Sequence, residues 1–194
     1  FYKARYRGEV VLDPESLIPE NAEIRETVRS THKHTVMEFR DGVIDSTRTR
    51  WKKGKPPFSV LSQQVDMDNG AVRDYFSAII IARALQWHEG DKRSTVVFDG
   101  RGLNAVTLHC LGQKRIKAMG KKFDTWQILV KIVQIGRVDK DDELIADNIH
   151  LYLTTDNARE IVRLQADTTF GDIKIKLRSF KPASTTGAGG EGTR

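Results

Sequence analysis

The sequence predicts a mainly β fold: a curved antiparallel sheet forming a roll or half-open barrel, packed on one central α-helix. Three observations lead there. Residues alternate with a period of two over most of the chain, as where Trp126, Ile128, Val130 and Ile132 oppose a half-polar set that includes Gln127 and Lys131. That period marks strands with one buried and one wetter face. Turn residues fall between these runs at Asp41-Gly42, Asp99-Gly100, Gly112, Gly120, Gly136, Thr155-Asp156-Asn157 and Gly171. Short strands so punctuated form a meander that curls on itself. One segment, about 71–85, breaks the alternation and reads as a helix.

Taken in order, strands are expected near 3–12, 34–40, 43–52, 57–64, 93–98, 103–111, 114–119, 124–135, 147–153, 160–167 and 172–180. Residues 13–31 hold Pro14, Pro19 and many charges with weak periodicity. They read as a long connection, with one helical turn near Ala22–Val28, so that 1–33 is an N-terminal strand plus connection. The curved β domain then spans 34–181. In its last strands Val162, Leu164 and Ala166 oppose Ile161, Arg163 and Gln165, and Ile173, Ile175 and Leu177 oppose Lys174, Lys176 and Arg178. Residues 182–194 are small, polar and Gly-rich and read as a flexible tail.

The helix follows Asp68-Asn69-Gly70, residue types that cap helix starts. It is apolar on most sides and needs cover on more than one face. It is placed against the concave side of the sheet, with Phe76 and Ile79 in the main core. At least one of Ile80, Ile81 and Trp87 is expected beside a cavity or an intermolecular contact, which makes these three, with Arg83, the ligand- or partner-contacting candidates. At about 100° per residue, Asp74 and Ser77 lie on neighbouring lines, whereas Asp74 and Arg83 lie on opposite sides and cannot pair. The structural reading ties the first turn to the preceding loop through Asp74 or Ser77, and sets Arg83 on carbonyls or a carboxylate of the sheet. The functional alternative is an anion or headgroup site around Arg83.

Composition excludes several classes. With 39% hydrophobic residues the chain can build a core, and global disorder is excluded. It has no apolar run of about 18 residues, so no transmembrane helix is expected; any membrane association is peripheral. The net charge of +6 suits an acidic partner. The cations are scattered along the strands, however, without a concentrated stripe bearing stacking aromatics, so nucleic-acid binding is not expected. The chain begins at Phe1, consistent with removal of a signal peptide or with an excised segment. The single cysteine, Cys110, shares a strand face with Val106 and Leu108 and reads as a buried inert thiol.

Catalytic and metal constellations are not found. His32 and His34 share a face, but His88, His109 and His150 lie in unrelated segments, so no third metal ligand is in view. There is no Gly-x-Ser-x-Gly. Asp139–Glu143 lacks calcium-loop spacing, and Gly187–Gly192 lacks the Lys-Ser/Thr of a phosphate loop. No enzyme, no cofactor and no metal site are expected.

A succession of landmarks supplies a resemblance. Asp74-Tyr-Phe-Ser77 runs through Ile79-Ile-Ile to Arg83, followed by Trp87-His-Glu-Gly90-Asp91, Phe98-Asp99-Gly100, Val106–Gly112 and Lys114–Thr125. Last come Leu151-Tyr-Leu-Thr-Thr-Asp156-Asn-Ala-Arg159-Glu-Ile161 and Phe170-Gly171-Asp-Ile through Leu177. This order, over about residues 70–180, resembles the exported Gram-negative family known as domain of unknown function 3108. The family has a proline near the Thr-Asp-Asn-Ala-Arg segment, where this chain has Glu160-Ile161. The resemblance implies a curved antiparallel sheet on a helix and a periplasmic or outer-membrane-attached location; Asp74, Ser77, Arg83, Asp156 and Arg159 are read as structural polar residues.

The expected function is a non-enzymatic cell-envelope binding module for a ligand such as lipid or glycan. Its partners would be other envelope proteins or an apolar or acidic ligand. The alternative is a structural subunit of an envelope complex. An unfilled pocket beside the helix favours the first, and a dense core the second.

Overall fold

The computed structural model describes residues 4–40, 42–67, 72–135, 143–168 and 171–176. The expected tail at 182–194, Leu177 and the acidic segment from Asp139 to Asp142 lie outside them. Strands β1 (Ala4–Leu12), β2 (Pro19–Val28), β3 (Thr31–Arg40), β4 (Val43–Lys52) and β5 (Pro57–Asp66) form one antiparallel meander in that order. A short β6 (Val72–Arg73) leads into helix α1 (Tyr75–Ala84) and then β7 (Lys92–Phe98). The chain continues through β8 (Leu103–Ala118), β9 (Lys121–Ile135), β10 (Glu143–Thr154), β11 (Ile161–Thr168) and β12 (Gly171–Lys176). These form a second sheet, ordered β12-β11-β10-β9-β8-β7-β6. Among the described residues only β6 and β7 pair in parallel, with α1 as their connection. The protein, among the described residues, is therefore mainly β with one helix, as expected, but the roll is built from two open sheets.

The largest departure is β2. Residues 19–28 are neither a connection nor a helical turn; they pair with β1 from Ala4↔Val28 to Leu12↔Pro19 and with β3 from Asn21↔Glu38 to Val28↔Thr31. Ala22 is buried and Ile24 packs beside it, so an alternation was present beneath the charges. Pairing on both sides overrides the helical preference of the Glu- and Arg-rich segment. The true connection is 13–18, closed by an Asp13 N–H···O=C Ile18 bond of 2.9 Å and by Ser16 N–H on the Asp13 carboxylate at 2.7 Å.

Two further departures are bulges. Gly112 does not separate two strands; β8 runs through it, and the register with β9 slips between Cys110↔Ile128 and Gln113↔Trp126. Gly112 sits at φ +106°, which a side chain would resist, and the Glu89 side chain lies 3.1 Å from where its Cβ would be. A glycine inside a strand thus marked a bulge, not an end. In β11, the register slips between Tyr152↔Arg163 and Leu153↔Ile161. The strict alternation of Val162 and Leu164 consequently fails: Val162 packs with Ile116, Ala118 and Tyr152, while Ile161 joins the core under the helix.

The helix starts later than expected. Asp74, not the Asp68-Asn69 pair, is its N-cap, accepting from the N–H groups of Phe76 at 2.7 Å and Ser77 at 3.3 Å. Val72 and Arg73 extend instead, because β7 offers them a parallel partner at Val96 and Val97. One core, between α1 and the second sheet, holds Ala82, Trp87, Val97, Val106, Leu108, Cys110, Ile128, Leu151 and Leu153. A second joins the two sheets through Ala22, Met37, Phe39, Ile44, Val72 and Phe98.

Candidate functional site

Helix α1 is fastened at both ends by polar residues the sequence had marked. At its start the fully buried Asp74 caps the first turn and also accepts from the Ser77 hydroxyl, itself fully buried. At its end Arg83 donates through Nε to the Arg159 carbonyl at 3.0 Å and through Nη2 to the Ala158 carbonyl at 3.1 Å. Arg159 reciprocates: its Nη1 reaches the Arg83 carbonyl at 3.4 Å and the Ala84 carbonyl at 3.3 Å. Those carbonyls belong to the last helical turn, which has no partners within the helix. The turn that carries Arg159 is organised by Asp156, whose Oδ1 accepts from Thr154 Oγ1 at 2.6 Å and from the N–H groups of Ala158 and Arg159 at 3.2 Å. Two arginines from distant segments thus clasp the helix C-terminus to the β10–β11 turn. Both guanidinium groups thus bond carbonyls of the protein, while Arg159 Nε is buried without a partner among the described residues.

Between this fastened helix and the second sheet lies a cavity of about 190 Å³. The helix contributes Tyr75, Ala78, Ile79 and Ala82, residues at offsets of three, four and seven that form one stripe. The sheet contributes only aliphatic side chains, among them Val106, Leu108, Val130 and Leu151. The void has a simple origin. Ala78 and Ala82 face the strands with a single methyl each, too short to meet the side chains opposite. Ala82, Val106, Leu108 and Leu151 are buried, whereas Ile79, Val130, Ile132 and Leu164 keep partial exposure, so the cavity opens outward. Tyr75 brings the sole side-chain heteroatom to this lining. Burial, reinforced by the Asp99 charge, pushes its phenol up to about 12.

The other candidates are distributed differently from expectation. Trp87 is 3% exposed and donates its indole N–H to the Ala82 carbonyl at 2.8 Å, so it is a core anchor. Ile80 and Ile81 are half-buried and do not line the cavity; Ile79 does. Nor does Phe76 join the main core: its half-buried ring lies over Gly8 of β1, where an added Cβ would come within 2.0 Å of it. A four-turn reading of the helix misjudged which side faced the sheet. The side that faces the sheet carries Ala78 and Ala82, and that small-residue pair was the signal available in the sequence.

Cys110 is fully buried, and burial raises its thiol above the ordinary range, which keeps it protonated and unreactive. His32 and His34 do share a face, but His32 stacks on Trp51 at 5.4 Å and His34 bonds Glu23 at 2.6 Å. Among the described residues, no three His, Cys, Asp or Glu groups sit together in a way that could hold a metal.

One buried cation has no counterpart in the sequence reading. Arg48 of β4 points between the sheets, 7% exposed, with its Nε unpartnered among the described residues. Burial, with Arg50 and Arg101 nearby, holds it below the usual arginine range. Beside it the Ser46 hydroxyl is also buried without a partner among the described residues.

No curated protein and no solved structure matches the chain. The model of one family, described as Protein of unknown function (DUF3108), matches residues 1–178, and the chain belongs to that family.

Proposed function

We propose that the protein is a non-catalytic binding module of the cell envelope, and that the cavity beside α1 takes the apolar part of a lipid. The observation that carries this reading is the cavity itself: about 190 Å³, lined by aliphatic side chains and one tyrosine, and open on one side. An apolar cavity of about 150 Å³ stays dry and accepts small apolar molecules, so a slightly larger one suits the end of an acyl chain better than a sugar. Leaving such a void unfilled costs up to about 4.5 kcal/mol at roughly 24 cal/mol per Å³. A chain end that fills it recovers part of that cost. No charged side chain lines the cavity, so selectivity would come from shape and length. The envelope location rests on the family resemblance of the Asp74–Arg83 and Thr154–Arg159 segments.

The test is lipid extraction with native mass spectrometry on protein purified from its own envelope, followed by titration with a dansyl-labelled undecanoate. Ala78→Phe, which places a ring in the cavity, is expected to weaken the probe by at least about tenfold, or ~1.4 kcal/mol, with circular dichroism unchanged. Probe affinity unaltered by Ala78→Phe, or protein that neither carries lipid nor takes up the probe, would remove the support for a lipid site.

A further inference from the structure

The cations of the N-terminal sheet are scattered in sequence but collected in space. Segments 27–37 and 46–65 carry seven Lys and Arg residues and no Asp or Glu; of these Arg48 is buried between the sheets and Lys33 pairs with Glu26 at 2.8 Å. Folding brings their turns together at one end of the sheet, where Lys53 N–H meets the Ser30 carbonyl at 3.4 Å. A concavity of about 440 Å³ there is lined by Arg5, Thr27, Arg29, Ser30, His32 and Lys53. Around the β4–β5 turn lies a second, of about 510 Å³, lined by Lys52, Lys55, Pro56, Pro57 and Phe58. Neither lining includes a carboxylate. Phe58 is 59% exposed, an aromatic side chain held out beside two prolines and flanked by lysines.

We propose that this end of the N-terminal sheet is a docking surface for an anionic lipid bilayer. Lys52, Lys53, Lys55, Arg29 and Arg5 would meet phosphate headgroups, and Phe58 would enter the interface between them. Three features favour a bilayer. The charge is concentrated on tight turns at the tip of a sheet, which can meet a plane together. The Ser30 hydroxyl offers a hydrogen bond to phosphate oxygens within the cationic concavity, beside Thr27 Oγ1, which is bonded to His32 Nδ1 at 3.2 Å. The exposed apolar group stands among the cations, which is the arrangement of interfacial segments that combine buried apolar area with attraction to anionic lipid. The surface lies on β1–β5, and no residue lining it also lines the cavity under α1, so the two proposals stand or fall separately.

The experiment is co-sedimentation of the whole chain with vesicles of phosphatidylcholine alone or mixed with phosphatidylglycerol. Binding is expected only to the mixed vesicles and is expected to fall as salt is raised. Each lysine near such a surface contributes roughly fivefold in affinity. Lys52→Gln, Lys53→Gln and Lys55→Gln together should therefore weaken binding about a hundredfold. These side chains are exposed, and circular dichroism should not change. Phe58→Ser should weaken binding at constant salt dependence, separating insertion from charge. Equal binding to both vesicle types, or binding untouched by the triple variant, would overturn the proposal. So would a preference for duplex DNA over the mixed vesicles, which would make the surface a general polyanion site.

Discussion

The arginine clasp allows a quantitative test of how the helix is held over its cavity. In Arg83→Met the Nε bond of 3.0 Å to the Arg159 carbonyl is lost from a part-buried setting, and the Nη2 bond of 3.1 Å from an exposed one. Hydrogen bonds from charged donors are worth about 1.5–3 kcal/mol net when shielded, and water replaces the exposed one. Arg83→Met should thus destabilise by about 1–3 kcal/mol. Arg159→Met removes longer bonds of 3.3 and 3.4 Å and should cost less, about 0.5–1 kcal/mol. Arg159 also holds a left-handed backbone at φ +42°, a strain of about 1–2 kcal/mol for a residue with a Cβ. Arg159→Gly relieves that strain while deleting the donors, and should come out near neutral. Because each arginine fixes the segment that receives the other, the double variant should cost less than the sum of the singles by about 0.5–1 kcal/mol. Equilibrium urea unfolding of the five proteins measures all of this. An unchanged midpoint for Arg83→Met, or strict additivity, would show that the two arginines are separate surface contacts.

Other expectations follow from single positions. Gly100 sits at φ +80°, and an added Cβ would approach Thr35 Cγ2 to 2.4 Å; Gly100→Ala should destabilise by about 2–4 kcal/mol, and adding Thr35→Ser should restore only the steric part. Arg48→Met should leave stability unchanged or raise it by about 1–2 kcal/mol, since burial of the charge outweighs its interactions with Glu26 and Asp99, which Arg50 and Arg101 oppose; clear destabilisation would show that the carboxylates more than repay the burial. The Tyr75 phenol should titrate near about 12, as read by tyrosinate absorbance. Its folded value lies above the unfolded one, so its contribution is complete below about 10 and is lost as pH rises through the folded value. Filling the cavity with a bound chain should move that titration higher still, and an ordinary tyrosine value would mean that Tyr75 faces water.

How much of this the residues disclosed varied with the range of the interaction. Period-two runs located most strands, because a half-buried sheet enforces alternation along each one. The polar residues at the helix ends were also legible: Asp74 and Ser77 lie a turn apart, and Arg83, unable to reach Asp74, needed carbonyls elsewhere. What was hidden was non-local. β2 exists because β1 and β3 supply partners on both sides, and its charges disguise it. The bulges at Gly112 and Val162 show only in the register with a neighbouring strand. The cavity depends on which helix side faces inward, and an apolar run placed four residues too early at its start hid the stripe that Ala78 and Ala82 share. The cation cluster is the clearest case. Arg5, Arg29 and Lys53 are far apart along the chain and adjacent only once two hairpin turns meet.

The order of strands has a consequence for how the chain reaches this structure. Within each sheet every strand pairs with its immediate predecessor or successor in the sequence, and the one parallel pair is bridged by a single short helix. Loop-closure entropy is therefore kept small at each step, and mean sequence separation between contacts is low for a β-rich protein. The chain should fold faster than a Greek-key sandwich of equal length. Each sheet is drawn from one uninterrupted stretch, so hydrogen exchange should resolve two cooperative units, with Phe98 and Val72 at the seam where the second locks onto the first.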